Sequence, residues 1–170
     1  MEEDELYGID KDYGHPNALK LIPDDFFWDC VDELAPFGSD EGDTALAEWR
    51  EWRKINPNKS VLECLRWVVE SVGEISFMDY NSDLIDKDKI YEQLNDEDFD
   101  QYVNTLDISV IATGFGQLAD EGKIDIDVKP ILQIALNRQL IICSLDESPL
   151  ETNKQYSFYL NRLKEILDKA

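Results

Sequence analysis

Histidine and cysteine are nearly missing from this sequence. His15 is the single histidine, and Cys30, Cys64 and Cys143 are far apart with no C-x-x-C spacing. An odd, sparse set makes no disulfide framework. Each thiol stands beside apolar residues, so each is expected to be buried. One histidine without a cluster of other ligands makes no typical zinc site, and no metal is expected. A Ser-His-Asp or Cys-His arrangement would have to use His15, which sits in the loop context Gly14-His15-Pro16. No G-x-S-x-G accompanies it, so a catalytic His15 is not expected. There is no P-loop, and Gly114-Phe115-Gly116 lacks the third glycine and the basic residue of a phosphate loop. Nothing points to a cofactor. No apolar run reaches the length of a membrane span. The opening MEEDELYGIDKDYG has neither the basic start nor the apolar core of a signal peptide. The cytoplasm follows by elimination.

Positive charge is scarce as well: 16 Lys and Arg stand against 38 Asp and Glu, a net charge of -22. Phosphate backbones need clustered basic residues, so nonspecific nucleic-acid binding is excluded as an expectation. Anionic membrane surfaces are excluded on the same ground. Rapid capture of a basic partner is favoured, and so is plain solubility. The charge is also uneven. Residues 1–48 hold 15 acids and 2 bases, and residues 76–128 hold 14 acids and 3 bases. The stretches between and after these are near neutral and carry the densest apolar runs.

What is present is a core. Apolar residues make up 43% of 170 residues, enough for one domain. Residues 1–23 read as an acidic, partly ordered arm in which Gly8, Gly14, Pro16 and Pro23 break any helix, while Leu6, Tyr7, Ile9, Tyr13, Leu19, Leu21 and Ile22 could anchor parts of it on the body. Residues 24–170 read as the helical domain. A short helix is expected over DDFFWDCVDEL, because Phe27, Cys30, Val31 and Leu34 fall at helical spacing. The next is expected from Ser39 or Asp40 to Lys54, with acids at its start and Arg50, Arg53 and Lys54 at its end, as a helix dipole prefers. Ser60 and Glu63 form a capping-box pattern ahead of a wide apolar stripe ending at Gly73. Leu84 to Leu94 suggests a short helix, and Asn95 or Asp96 could cap the one after it. The run Ile108–Ile111 has strand-like composition, yet Val110, Ile111, Phe115 and Leu118 keep helical spacing and favour a helix. Gly114 and Gly116 would there permit close helix contact. Asp127 starts a further helix with Pro130 in its first turn. Thr152 and Gln155 form a second capping-box pattern ahead of the last helix. The sum is an all-α, single-domain bundle of six to eight helices with short connections.

The densest acidic stretch, Ser39-Asp40-Glu41-Gly42-Asp43, matches no standard calcium loop. Asp79-Tyr80-Asn81-Ser82-Asp83 begins like one, but Leu84 and Ile90 stand where glycine and glutamate are required. A solvated helix start accounts for most of the first stretch. Around it lie Phe26, Phe27, Trp28, Phe37, Trp49 and Trp52. Core packing explains most such clusters. The sharper reading is an interaction surface, with Asp40, Glu41, Asp43, Trp49, Trp52 and Trp28 as binding candidates. Trp28 and Trp52 are the ones expected to be partly exposed, because their neighbours already supply the core stripe.

The segment HPNALKLIPDDFFWDCVDELAPFGSDEGDTALAEWREW resembles the opening of uncharacterised bacterial proteins of the YfeS type. The shared features are a His-Pro-x-Ala start, an acidic aromatic run, and PFGSDEG before a short helix. The likeness covers about a quarter of the chain. It implies a bacterial intracellular protein and brings no assigned activity. The small, acidic, helical profile is also similar to that of immunity proteins of bacterial toxin systems, by composition alone. The function expected is therefore a non-catalytic binding protein that captures a basic protein partner, of immunity or regulator type. The competing reading is a carboxylate-based hydrolase, with or without a metal. A nucleic-acid mimic would need acids in regular double rows across the folded surface.

Overall fold

The structure, a computed structural model, describes residues 8–93, 97–145 and 151–170, with the side chains of residues 97–102 left outside the description. Among the described residues there are seven α-helices and no strand: α1 Pro16–Leu21, α2 Asp40–Ile55, α3 Val61–Val72, α4 Lys87–Gln93, α5 Glu97–Glu121, α6 Lys129–Leu145 and α7 Glu151–Lys169. This is the helical bundle that the apolar spacing predicts.

The bundle is built around α5. Every residue from Ser109 to Ala119 is buried. Burial around the whole circumference requires neighbours on every side, and α1, α2, α3 and α6 all pack against it. The residues of strand-like composition, Ile108–Ile111, lie in the middle of this helix. Gly114 explains how α6 comes so near: a Cβ there would stand 2.4 Å from a Leu132 methyl. α7 packs against α6, burying Tyr159, Leu160, Leu163, Ile166 and Leu167.

The caps follow the sequence in part. The Ser39 hydroxyl accepts from Gly42 N at the start of α2, and the Ser60 hydroxyl accepts from Leu62 N at the start of α3. Among the described residues Glu63 returns no bond to Ser60 N, but the next N–H, that of Val61, is accepted by Asp125 at 3.0 Å. α7 begins at Glu151, so Thr152 lies inside it and is not its cap. α6 begins at Lys129, two residues after Asp127, with Pro130 in its first turn as expected. The caps proposed at Asn95 or Asp96 lie outside the described residues.

Two regions depart from the expectation. The first is the N-terminal stretch, where proline starts a helix instead of preventing one. Pro16 is the first residue of α1, where its missing N–H costs nothing. His15 Nδ1 accepts from Asn17 N at 3.1 Å, and His15 N donates to Ala119 O at 2.9 Å. Ile9, Ala18 and Ile22 are buried. Thus His15 caps a helix and ties it to the end of α5.

The second is DDFFWDCVDEL, which forms only a 3-10 turn, Asp25–Trp28. Beyond it, Asp29 accepts from Val31 N and Asp32 N, and Asp32 accepts from Leu34 N. Aspartates that capture nearby N–H groups compete with helical bonds. The three successive rings Phe26, Phe27 and Trp28 are all buried, which one face of a helix cannot achieve. Phe27 meets Phe37 and Phe115 edge to face. The cost of this loop is that Cys30 and Val31 face solvent, contrary to their expected burial. Cys64 is buried as expected, and Cys143 is half-buried.

Candidate functional site

The acidic run of α2 is a helix start with a tight floor. Gly42 is buried, and a Cβ there would lie 2.0 Å from the Pro36 carbonyl oxygen. The glycine of PFGSDEG lets the first turn of α2 press on the loop before it. Asp40, Glu41 and Asp43 are exposed and form no ion pair with a described residue. Beside them runs a groove of about 260 Å³, with Asp40, Glu41 and Glu48 on α2 and Val72 of α3 and Ser109 of α5 in its lining.

The tryptophans do not join these acids as one surface. Trp28, expected to be partly exposed, is only 6% exposed, and its Nε1 donates to Ile22 O at 2.9 Å. Its ring serves the core and offers no face to a partner. Trp49 is 1% exposed and donates to Asp120 Oδ2 at 3.0 Å. Trp52 is half-buried, as expected, and stacks on Trp49. The Arg53 guanidinium lies over both rings, 5.2 and 5.9 Å from their centroids. The tryptophan with the widest exposure is Trp67 on α3, at 46%. Its signal was on the helical wheel: it falls off the stripe of Cys64, Leu65, Val68 and Val69.

The basic end of α2 is bound to acids at the end of α5. Arg50 grips Asp120 with two bonds of 3.0 Å, and its Nη1 donates to Gly8 O. Arg53 grips Glu121 with bonds of 2.6 and 2.7 Å. Hydrogen bonding to Glu121 raises the Arg53 pKa against the opposing effect of burial. The same bonds hold Glu121 below the usual carboxylate range. Asp125 is also lowered: burial opposes its charge, but hydrogen bonds from Gln117 and Val61 N outweigh that. On α7, Arg162 grips Asp24 through two nitrogens.

A second polar centre lies in the core, and sequence reasoning missed it. Asp107, fully buried on α5, accepts four hydrogen bonds: from Tyr80 OH at 2.7 Å, Arg138 at 2.9 and 2.7 Å, and Gln139 Nε2 at 2.9 Å. Burial, then the Asp107 charge, pushes the Tyr80 pKa well above its ordinary value. Burial also opposes the charge on Arg138, yet the bonds and charge of Asp107 prevail and raise its pKa. Gln139 passes the network on: its Oε1 accepts from Tyr156 OH at 2.8 Å, and its Nε2 also donates to Asn104 Oδ1 at 3.1 Å. Asn104, Gln139 and Tyr156 form one wall of a cavity of about 300 Å³ between α5, α6, α7 and the loop before α2.

Among the described residues, no group of three or more His, Cys, Asp or Glu side chains is placed to hold a metal ion. None of their helices is long and apolar enough to cross a membrane.

The fold and its acidic surface define an all-α bundle with a closed ionic network at its centre. By sequence, the chain is similar to the uncharacterised protein YfeS of Escherichia coli strain K12, with 28% identity over 145 residues. The likeness covers 84% of this chain, well beyond the N-terminal quarter that first suggests it. The chain spans 57% of that relative's length. No family model matches the chain. No solved structure matches it either.

Proposed function

We propose that this is a non-catalytic, cytoplasmic binding protein of bacterial type that captures a basic protein partner on the acidic surface where α2 begins. One observation carries the reading: where the cations are spent. Four of the five arginines, Arg50, Arg53, Arg138 and Arg162, bind carboxylates of their own chain. Asp40, Glu41, Asp43 and Glu48 form no ion pair with any described residue. Such a surface steers a cationic partner and sets its orientation more than it adds raw affinity. The groove beside it suits a long basic side chain, whose stem would run along Ala45 and Val72 while its head meets the carboxylates. Trp52 is the aromatic candidate that remains at a surface. An immunity or regulator role agrees with this arrangement.

The test separates a local site from net charge. Asp40→Asn, Glu41→Gln and Asp43→Asn are combined in one variant. Asp79→Asn, Asp83→Asn and Asp88→Asn, all at exposed positions, make a control of equal charge. Association with a lysine- and arginine-rich probe peptide is followed by stopped flow at several salt concentrations. The first variant slows association about tenfold at low salt and flattens its salt dependence, while the control changes it far less. Equal slowing in both variants would mean that total charge alone acts, and the reading would fail.

A further inference from the structure

We infer that the cavity between α5, α6, α7 and the loop before α2 binds a small neutral amphiphile, an apolar body carrying one hydrogen-bond acceptor. The inference does not depend on the acidic surface of α2. The volume of about 300 Å³ lies at the small end of ligand pockets, so the occupant has the size of a substituted single ring. Most of the lining is apolar, with Ala35, Ile108, Ile111, Leu160 and Leu163 among it.

Hydrogen-bond accounting on the polar wall defines the acceptor. Both amide hydrogens of Gln139 are committed, to Asn104 Oδ1 and Asp107 Oδ2, and its oxygen receives Tyr156 OH. Tyr159 OH donates to Asp32 and accepts from Gln155. Asn104 is different. Its oxygen is occupied, while its Nδ2 donates to no described residue. Asn104 lines the cavity, and the inference assigns its amide hydrogens to a carbonyl or ether oxygen of the ligand, which would complete them. Charge excludes the ionic alternatives. An anion would meet the field of a chain carrying -22 and the nearby Asp107. A cation would meet only Glu33, exposed at the rim of the lining, since Asp107 is already fully bonded, and it would lose its hydration against aliphatic walls.

The core network then acquires a purpose. A buried ion pair is a weak source of stability and can often be replaced by apolar residues. Here it fixes Gln139, and Gln139 in turn fixes the orientation of the Asn104 amide and the Tyr156 hydroxyl. Asp107 is a positioning residue for the wall.

Acetanilide, a neutral ring with an amide carbonyl, is the probe. Toluene lacks the acceptor, and benzoate carries a charge. Titrations followed by 15N NMR and calorimetry should show saturable acetanilide binding with Kd on the order of 1 mM. The Asn104 side-chain NH2 signals should shift. Toluene should bind about five- to tenfold more weakly, and Asn104→Ala should reduce acetanilide binding by a similar factor. Benzoate should not compete. Because Asn104 is only half-buried, Asn104→Ala is expected to fold, which its spectrum checks directly. A second variant, Ile111→Trp, fills the cavity and should abolish binding. The inference is overturned by absence of saturation with acetanilide, by equal affinity for toluene or benzoate, or by binding that Asn104→Ala leaves untouched.

Discussion

Arg138–Asp107 and Arg53–Glu121 have the same chemistry and nearly the same length, 2.7 and 2.6 Å, but opposite surroundings. The first has side-chain exposures of 6% and 0%, the second of 19% and 27%. In the core, the carboxylate is closed by four donors, since any group left unbonded there would cost free energy with no water to help. At the end of α5, water can complete what the protein leaves open. Arg53 is free to spend its Nη1 elsewhere, on the carbonyls of Asn56 and Lys59, fastening the turn between α2 and α3. Arg50 does the same for Gly8. A buried pair thus works as a closed unit that sets side-chain positions, while a half-exposed pair works as a staple between segments.

That contrast is broken most severely at Asp107. Asp107→Ala leaves the Arg138 charge, Tyr80 OH and a Gln139 hydrogen without their acceptor, and should cost about 4 kcal/mol in urea unfolding. Asp107→Leu combined with Arg138→Met removes both charges and should recover more than half of that loss. Recovery should stay incomplete, because Tyr80 and Gln139 still lack an acceptor. If Asp107→Ala costs no more than a surface change, the closed-unit reading is wrong.

Arg53→Ala tests the other side and should cost less, about 2 kcal/mol. It removes the grip on Glu121, the bonds to the α2–α3 turn and the stacking over Trp49 and Trp52. Because it is a staple, its loss should appear locally. Amide exchange should quicken between Asn56 and Ser60 before it does so in the middle of α5. Uniform acceleration through α5 would place Arg53 in the core unit instead.

The two centres were unequally legible in the sequence. The staple could be read in half: acids and bases at opposite ends of α2 follow from the helix dipole, but which acids receive Arg50 and Arg53 depends on α5 returning beside α2. The core unit left a sharper trace that went unread. Asp107 is the only charge between Leu106 and Ala119, and Arg138 is the only charge between Ile131 and Cys143. Two lone opposite charges within long apolar stretches of two helices imply a buried pair. Among 38 acids one lone carboxylate does not stand out. The helices themselves were legible because 3.6-residue spacing is a local property. The loop at Phe26–Trp28 was not, since its burial requires Phe115 from α5 on one side and Tyr159 from α7, stacked at 4.1 Å on Phe26, on the other.

The mildest probe of the comparison is acid. Hydrogen bonds from Arg53 lower the folded-state pKa of Glu121, and those of Gln117 and Val61 N lower that of Asp125 against burial. A carboxylate whose pKa is lower folded than unfolded binds its proton more readily when unfolded. It contributes stability above its unfolded value, about 4.3 for glutamate and 3.9 for aspartate, and loses it as pH falls through the folded value. Many exposed acids change over the same range, so the absolute stability of a chain with charge -22 mixes this effect with relief of repulsion. The difference between the parent protein and Arg53→Ala isolates it. That gap should be level from pH 7 to about pH 5 and narrow below about pH 4, as Glu121 in the parent takes up its proton. The narrowing should be smaller than the gap, because the stacking of Arg53 on the tryptophans and its bonds to the turn carry no titrating group. A gap that stays level down to pH 3 would show that the staple holds by packing and backbone bonds, with the carboxylate contributing little.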